Sequence, residues 1–115
     1  MTKRIKPLLP TLKEKKRYLA FEVISDEKLT FNQIANQIQD KSKEYLGLKG
    51  TANAGIQILK ETFQKNKGVI RVNHKYVHDL KSSFLLIKKI DGKNAVIKSL
   101  GLSGTINKMK NLIAG

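Results

Sequence analysis

The chain contains no cysteine, no tryptophan and only two prolines among its 115 residues. Without cysteine it cannot form disulfide bonds, use a thiol nucleophile or bind a metal through thiolates. Acidic residues are also scarce, with 9 Asp and Glu against 23 Lys and Arg. The formal net charge of +14 is typical of proteins that bind a polyanion, and it favours nucleic acid over an acidic membrane surface or an acidic protein.

Long hydrophobic runs are absent as well. The longest one, residues 84–87, is far shorter than the roughly 18 residues that a membrane-spanning helix requires. The lysine-rich N-terminus leads into a predicted strand and not into the apolar core of a signal peptide. The sequence therefore predicts a soluble, cytoplasmic protein without membrane contact, and its length suits a single domain.

Positive charge is concentrated at the two ends of the chain. Residues 1–17 carry seven Lys and Arg against one acid, residues 18–87 ten against seven, and residues 88–115 six against one. Residues 1–16 contain both prolines and little periodicity, which predicts a basic extended arm, whereas 17–115 are predicted to form one folded domain. Lys13, Lys15, Lys16 and Arg17 run directly into the first predicted strand, an arrangement that suggests a rigid docking surface for an anion.

Hydrophobic periodicity predicts the first half of the domain. A strand over residues 17–25 is followed by a helix that Thr30 caps and Gly47 ends, because Thr30 and Gln33 have the spacing of a capping box. Residues 47–55 hold three glycines and are predicted to form a loop. Residues 56–64 and 69–73 are predicted to be antiparallel strands joined by a four-residue loop, 65–68.

The second half continues with a helix capped by Asn73, in which Val77, Leu80, Phe84 and Ile87 share the apolar face. A turn at 91–92 precedes a last strand at about 94–100, and Ile106, Met109 and Ile113 mark a terminal helix. The order predicts an α+β fold: a two-layer αβ sandwich of ferredoxin-like, RRM-like βαββαβ topology, with a C-terminal helix. Such folds serve RNA binding, metabolite binding and protein scaffolding alike.

Base stacking, the usual RNA-binding mode of an RRM, is not favoured. An RRM stacks bases on aromatic side chains of its central strands, but here the third strand offers Val69, Arg71 and Asn73. Only Tyr18 could stack, and a strand Tyr is more often a core or interface residue. We therefore expect contacts to the RNA backbone from residues such as Lys67 and Arg71, and a sheet face covered by the terminal helix or by another protein.

No catalytic or metal-binding constellation is evident. His74 and His78 have the i, i+4 spacing that places two imidazoles on one helix face, but a third ligand is missing. The acids are scattered and form no paired-carboxylate centre. We therefore predict no catalytic residue, no metal site and no cofactor bound by the protein.

The segment 103–105 precedes the terminal helix and could bind a phosphate. The hydroxyls of Ser103 and Thr105, the backbone N–H groups around Gly104 and the helix dipole would all contribute. The alternative is an ordinary helix cap, because Ser and Thr cap helices frequently. Lys108 and Lys110 lie just beyond and strengthen the phosphate interpretation against that alternative, because a phosphate site gains from nearby cations.

Four segments carry a family resemblance: residues 9–18 (LPTLKEKKRY), 68–73 (GVIRVN), 84–92 (FLLIKKIDG) and 100–106 (LGLSGTI). Together they resemble the archaeal ribonuclease P protein component 2 family over residues 8–106. The resemblance implies an RRM-like subunit of a ribonucleoprotein endoribonuclease, a hydrolase that removes 5′ leaders from precursor tRNA. It also implies that the RNA is the catalyst, with Mg²⁺, and that this chain is noncatalytic.

The implied partners are ribonuclease P RNA, ribonuclease P protein component 3 in a heterotetramer with two copies of each, and other ribonuclease P protein subunits. Precursor tRNA would be contacted indirectly. Relatives often have a longer C-terminal tail. The RNA-binding residues expected from charge and position are Lys13, Lys15, Lys16, Arg17, Lys67, Arg71, Ser103, Gly104, Thr105, Lys108 and Lys110.

Two other functions fit the sequence. One is a ribosomal or other structural RNA-binding protein of ferredoxin-like fold. The other is a metabolite-sensing domain of the same fold, suggested by the glycine-rich segment 47–55, although that segment lacks acidic or aromatic neighbours.

Overall fold

A computed structural model describes residues 15–114. This part of the chain contains the strands and helices β1 (Lys16–Ser25), α1 (Phe31–Ala54), β2 (Gln57–Gln64), β3 (Lys67–Asn73), α2 (Val77–Phe84), β4 (Lys89–Ile90), β5 (Lys93–Ser103) and α3 (Ile106–Ala114). The strands form an antiparallel sheet in the order β2-β3-β1-β5-β4. The predicted α+β fold with a ferredoxin-like arrangement is confirmed, and β1 lies in the middle of the sheet.

The main core lies between one face of the sheet and the helices α1 and α2. Alternate residues of β1, namely Leu19, Phe21 and Val23, point into this core and are almost fully buried. Ile34 and Leu80 meet them from α1 and α2, respectively. The alternating apolar residues of β1 and the helically spaced apolar residues of α1 and α2 thus form the two sides of one core.

The terminal helix α3 packs on the opposite face of the sheet. Met109 and Ile113 of α3 form a second apolar cluster with Ala20 and Val69, and Tyr18 packs against its side. This confirms that the terminal helix covers the face on which an RRM would stack bases. Tyr18 is therefore part of a packed cluster and not an open stacking platform.

Helix α1 begins as predicted but ends later than predicted. The capping box at its start is confirmed: Thr30 Oγ1 accepts from Gln33 N, and Gln33 Oε1 accepts from Thr30 N. Gly47, with φ of 77°, kinks the helix, but the chain is helical again up to Ala54. The prediction of a loop at 47–55 is therefore wrong. The burial of Ala54 fixes these residues against the core and offsets the low helix propensity of glycine.

The β2–β3 turn is shorter than predicted. It consists of Lys65 and Asn66, which both have positive φ (50° and 62°). Positive φ at both residues lets a two-residue hairpin turn match the right-handed twist of its strands. Lys67 and Gly68 already belong to β3. A Cβ on Gly68 would lie 3.0 Å from the Phe21 ring, so close packing requires glycine there.

The second half also differs in detail. Asn73 caps a short 3-10 turn, His74–Tyr76, and α2 itself ends at Phe84, so the buried Ile87 lies beyond it. The turn at 91–92 is confirmed, with positive φ at both residues. The last strand runs on to Ser103, three residues past its predicted end. In residues 15–114, no helix combines the length and apolar character that a membrane span needs.

Candidate functional site

Strand pairing brings the two charged ends of the sequence together. Because β1 is antiparallel to both of its neighbours, its first residues lie beside their last: Lys16 pairs with Asn73 of β3, and Tyr18 pairs with Ser103 of β5. We call this end of the sheet the basic end. It comprises Lys15, Lys16, Arg17, Arg71, His74, Lys75, Ser103, Gly104, Thr105 and Lys108.

Lys15 is held by the turn that follows β3. The carbonyl oxygen of Lys15 accepts a hydrogen bond from His74 N at 2.8 Å, and His74 Nδ1 lies 3.1 Å from the same oxygen. A carbonyl oxygen can only accept, so Nδ1 is the protonated ring nitrogen when this bond forms. The backbone of Lys15 thus continues the ladder between β1 and β3 and is attached to the sheet.

The two histidines do not share one helix. His74 lies in the 3-10 turn and His78 lies in α2, so the prediction that both belong to one helix was wrong. Across residues 15–114, the structure groups no three His, Asp or Glu side chains in a way that could bind a metal ion.

Lys16 points toward the end of α1. Its Nζ atom lies 3.0 Å from the position that a Cβ on Gly55 would occupy, and Gly55 is the left-handed C-cap of the helix. Lysine near a helix C-terminus is stabilised by the partial negative charge of the last carbonyl groups. Lys16 therefore has a structural contact in addition to its predicted role.

The side chain of Arg17 lies next to residues from the C-terminal part of the chain. One guanidinium nitrogen, Nη1, lies 3.6 Å from the Cβ position of Gly104 and donates a hydrogen bond to the Lys16 carbonyl oxygen at 3.2 Å. Gly104 has no side chain, so the guanidinium group comes close to the backbone of residues 103–105. The first and last basic segments of the sequence are direct neighbours here.

The 103–105 segment forms a local turn ahead of α3. Ser103 Oγ accepts from Thr105 N at 3.1 Å, and the two hydroxyl oxygens lie 3.4 Å apart. One of the amides predicted to bind phosphate is thus already engaged, as in a cap. Gly104 and Thr105 are exposed beside Arg17, and Lys108 is exposed one turn further on.

Arg71 lies in register between Tyr18 of β1 and Gln57 of β2. Its Nε atom is buried and has no hydrogen-bond partner among the described residues. A buried N–H group without a partner is costly, by about 1 to 3 kcal/mol, and more where charge is involved. Arg71 therefore has an unused donor near the basic end.

The other predicted RNA-binding residues lie elsewhere. Lys67 pairs in register with Glu22, five residues along β1 from Arg17, a distance of about 17 Å at the strand rise. Lys110 lines a shallow depression with Glu61 and Gln64. Lys13 lies outside the described residues.

Two residues of the basic end, His74 and Lys75, were not predicted from the sequence. Lys75 is exposed and its backbone N donates to Asn73 Oδ1 at 3.0 Å. The predicted cap at Asn73 could have indicated these two residues. It marks the end of β3, and the end of β3 lies beside the start of β1.

The basic end suits one kind of chemistry. It combines exposed or half-buried cations with hydroxyl groups, and none of the ten residues that define it carries a carboxylate. Such a surface can neutralise phosphate groups at fixed positions, and the helix on the outer sheet face leaves no aromatic platform for bases. Fold and site thus define a small basic αβ protein whose cationic end has the chemistry that suits a polyanion.

The chain belongs to the Rpp14/Pop5 family, whose family model matches residues 17–114. It is 40% identical to ribonuclease P protein component 2 of Pyrococcus furiosus over 110 residues, which cover 96% of this chain and 92% of that protein. It is 37% identical to the Pyrococcus horikoshii protein of the same name, with the same coverage. The Methanosarcina mazei protein of that name is 36% identical over 90% of this chain and 88% of its own length.

The fold is also similar to that of a chain in the cryo-EM structure of yeast ribonuclease MRP. The TM-score is 0.64, and the match covers 89% of this chain and 88% of the other at 14% sequence identity. At this identity, the similarity concerns the fold alone.

Proposed function

We propose that this chain is a protein subunit of ribonuclease P that stabilises the catalytic RNA, and so acts in tRNA 5′-end maturation. The observation that carries the proposal is the match to the Rpp14/Pop5 family over residues 17–114, and the convergence of Arg17 with Gly104 at one end of the sheet supports a phosphate-binding role. The similarity to relatives named ribonuclease P protein component 2 supports it.

The basic end would bind the RNA through its phosphates. Arg17, Lys15 and Lys108 offer cations to successive phosphate groups, whereas the hydroxyls of Ser103 and Thr105 would add hydrogen bonds. Contacts of this kind fix the position of an RNA without reading its bases.

In this proposal the RNA is the catalyst, using Mg²⁺, and the chain is noncatalytic. The protein partner would be ribonuclease P protein component 3, in a heterotetramer of two copies each, with further protein subunits around it. Precursor tRNA would be contacted only indirectly.

Reconstitution tests the proposed function. We expect that ribonuclease P RNA with component 3 and this chain cleaves precursor tRNA at a modest Mg²⁺ concentration faster than the same mixture without this chain. The triple variant Lys15→Ala, Lys16→Ala, Arg17→Ala should lose much of that stimulation. Its matched control replaces Lys28, Lys43 and Lys89, three exposed lysines outside the basic end. Equal cleavage with and without this chain would refute the proposal.

The alternative is a ribosomal or other structural RNA-binding protein. A pull-down of the tagged chain separates the two: ribosomal RNA without ribonuclease P RNA would favour the alternative. The metabolite-sensing hypothesis loses its motivating feature, because residues 48–54 form the last part of α1 and not an open loop.

A further inference from the structure

Strand β5 has one free edge. On one side it pairs with β1 along most of its length. On the other side β4 covers only its start, through Lys89 opposite Asn94 and Ile90 opposite Lys93, and Ala95 N donates to the Lys88 carbonyl oxygen. From residue 96 to residue 103, no strand of the described chain lies on this side.

The hydrogen-bond directions identify the unpaired groups. The N–H and C=O of one strand residue point to the same side, and the side alternates along the strand. Ala95 N points toward β4, whereas the carbonyl oxygen of Asn94 accepts from Asp26 N on the β1 side. Ile97 and Ser99 therefore present their N–H and C=O groups to the free edge.

A groove runs beside this edge. It lies between α2 with its following residues and the middle of β5, and it has a volume of about 460 Å³. Leu85, at its border, is 76% exposed. The groove is lined by His78, Lys81, Ser82, Phe84, Leu85, Ile97, Lys98 and Ser99. These residues include two lysines and no acid.

The opposite edge of the sheet is interrupted in its middle, whereas the only register shift between β1 and β5 lies beyond Ser99. In β2 the pairing with β3 is interrupted between Leu59 and Gln64. Within this bulge, Thr62 Oγ1 donates to the Leu59 carbonyl oxygen and accepts from Val69 N. Bulges and charged side chains are common protections of a sheet edge. The β5 edge stays in regular register with β1 from Ala95 to Ser99.

We propose that the β5 edge and its groove bind an extended segment of a partner protein, which adds a strand to the sheet and carries acidic and apolar side chains. Unpaired donors and acceptors in alternation suit a polypeptide backbone, since phosphates could use only the donors. Lys81 and Lys98 favour acidic side chains on the partner segment, and Leu85 favours an apolar side chain. This surface is separate from the basic end and does not depend on the proposed function.

A second copy of this chain fits the edge less well. Pairing two β5 strands would bring Lys98 and Lys81 of each copy toward the same cations of the other, and like charges opposite each other in a sheet are destabilising. Residues 1–14 carry four Lys and Arg against one acid, so they lack the complementary charge as well.

The test uses the full chain and a ten-residue peptide of alternating Glu and Val. In the free protein, the amide hydrogen of Ser99 should exchange with solvent much faster than that of Lys98, because the N–H group of Lys98 faces β1. With the peptide added, the amides of Ile97 and Ser99 should shift in NMR spectra and gain protection. A peptide of alternating Lys and Val should produce neither effect.

Two variants, each with a matched control, sharpen this test. Ser99→Pro removes the outward N–H but no bond to β1, and should weaken peptide binding about tenfold, whereas Ser99→Ala should bind as the parent does. Leu85→Ser should also weaken binding, while Leu48→Ser, at a similarly exposed leucine (78%), should not.

The proposal is overturned by any of three results. The amides of Ile97 and Ser99 could already be protected in the free protein, and concentration-dependent protection would then indicate a second copy. The acidic peptide could leave them unchanged. RNA could protect them in place of the peptide, which would make the edge a nucleic-acid surface.

Discussion

The basic end and the β5 edge lie on the same strand, yet they present opposite kinds of groups. At Ser103 the strand ends among cations and hydroxyls, next to Arg17. Around Ser99 it presents unpaired backbone groups, and the exposed Leu85 from the end of α2 lines the groove beside them. Net charge alone would assign both regions to one polyanion, but the backbone and apolar groups at Ser99 favour a polypeptide there.

A bulge separates the two regions. Phe21 pairs with Ser99 whereas Ala20 pairs with Gly101, so Leu100 is an extra residue on β5. A bulge bends its strand and changes the direction of the residues beyond it. Beyond the bulge, a Cβ on Gly101 would lie 2.8 Å from Leu112, so the missing side chain lets α3 pack closely. The position of the basic end therefore depends on how α3 packs.

The largest effect should follow from loosening that packing. Met109 is nearly fully buried between α3 and the sheet, so Met109→Ala should lower the free energy of unfolding by about 2 to 5 kcal/mol. Urea unfolding measures this loss. RNA affinity should fall with it, because α3 positions the 103–105 segment, while amide exchange at Ser99 should change little.

The control is Asn107→Ala on the exposed face of α3, which should stay within about 0.5 kcal/mol of the parent. An equally small effect of Met109→Ala would mean that α3 does not support the basic end.

The second effect is electrostatic and should be confined to the basic end. Replacing Lys15, Lys16 and Arg17 by Ala should reduce the slope of log affinity for RNA against log salt by roughly 2 to 3, if each cation neutralises one phosphate. Because the Lys16 ammonium group lies beside the C-cap of α1, the single variant Lys16→Ala should change the slope less than Arg17→Ala does. Filter binding at several salt concentrations gives the slopes.

Peptide binding at the β5 edge should be unaffected by the same triple variant. An unchanged slope of log RNA affinity against log salt would show that these side chains face protein. A loss of both RNA binding and peptide binding would remove the distinction between the two regions.

The smallest effect should leave both regions intact. Thr30→Ala removes the capping box of α1 and should cost about 1 kcal/mol, whereas Thr30→Gly should cost only a few tenths. Chemical denaturation measures both variants. The salt slope and the peptide affinity should match those of the parent, and a change in either would show that the capping box supports a binding region.

The local elements were predictable where neighbouring residues decide them. The alternation of Leu19, Phe21 and Val23, the capping box at Thr30 and the turn at 91–92 were all read correctly, because each depends on residues a few positions apart. The helical segment up to Ala54 was missed, since glycine content indicated a loop while the burial of Ala54 decided the outcome.

The candidate site was only partly predictable. The cations of the first and last segments were identified from sequence, but Lys67 and Lys110 lie away from the basic end. The free edge of β5 could not be read from the sequence, because its exposure results from the short β4 pairing with residues 93 and 94 alone.

The sequence by itself determined the charge, the order of the strands and helices apart from the short β4, and the lack of an aromatic platform, since these follow from composition and local periodicity. Only the tertiary structure decided which cations act together. Antiparallel pairing of β1 with β5 places Tyr18 opposite Ser103, and α3 packs across the outer sheet face. Residues 17 and 104 become neighbours through these long-range contacts, which no local pattern in the sequence records.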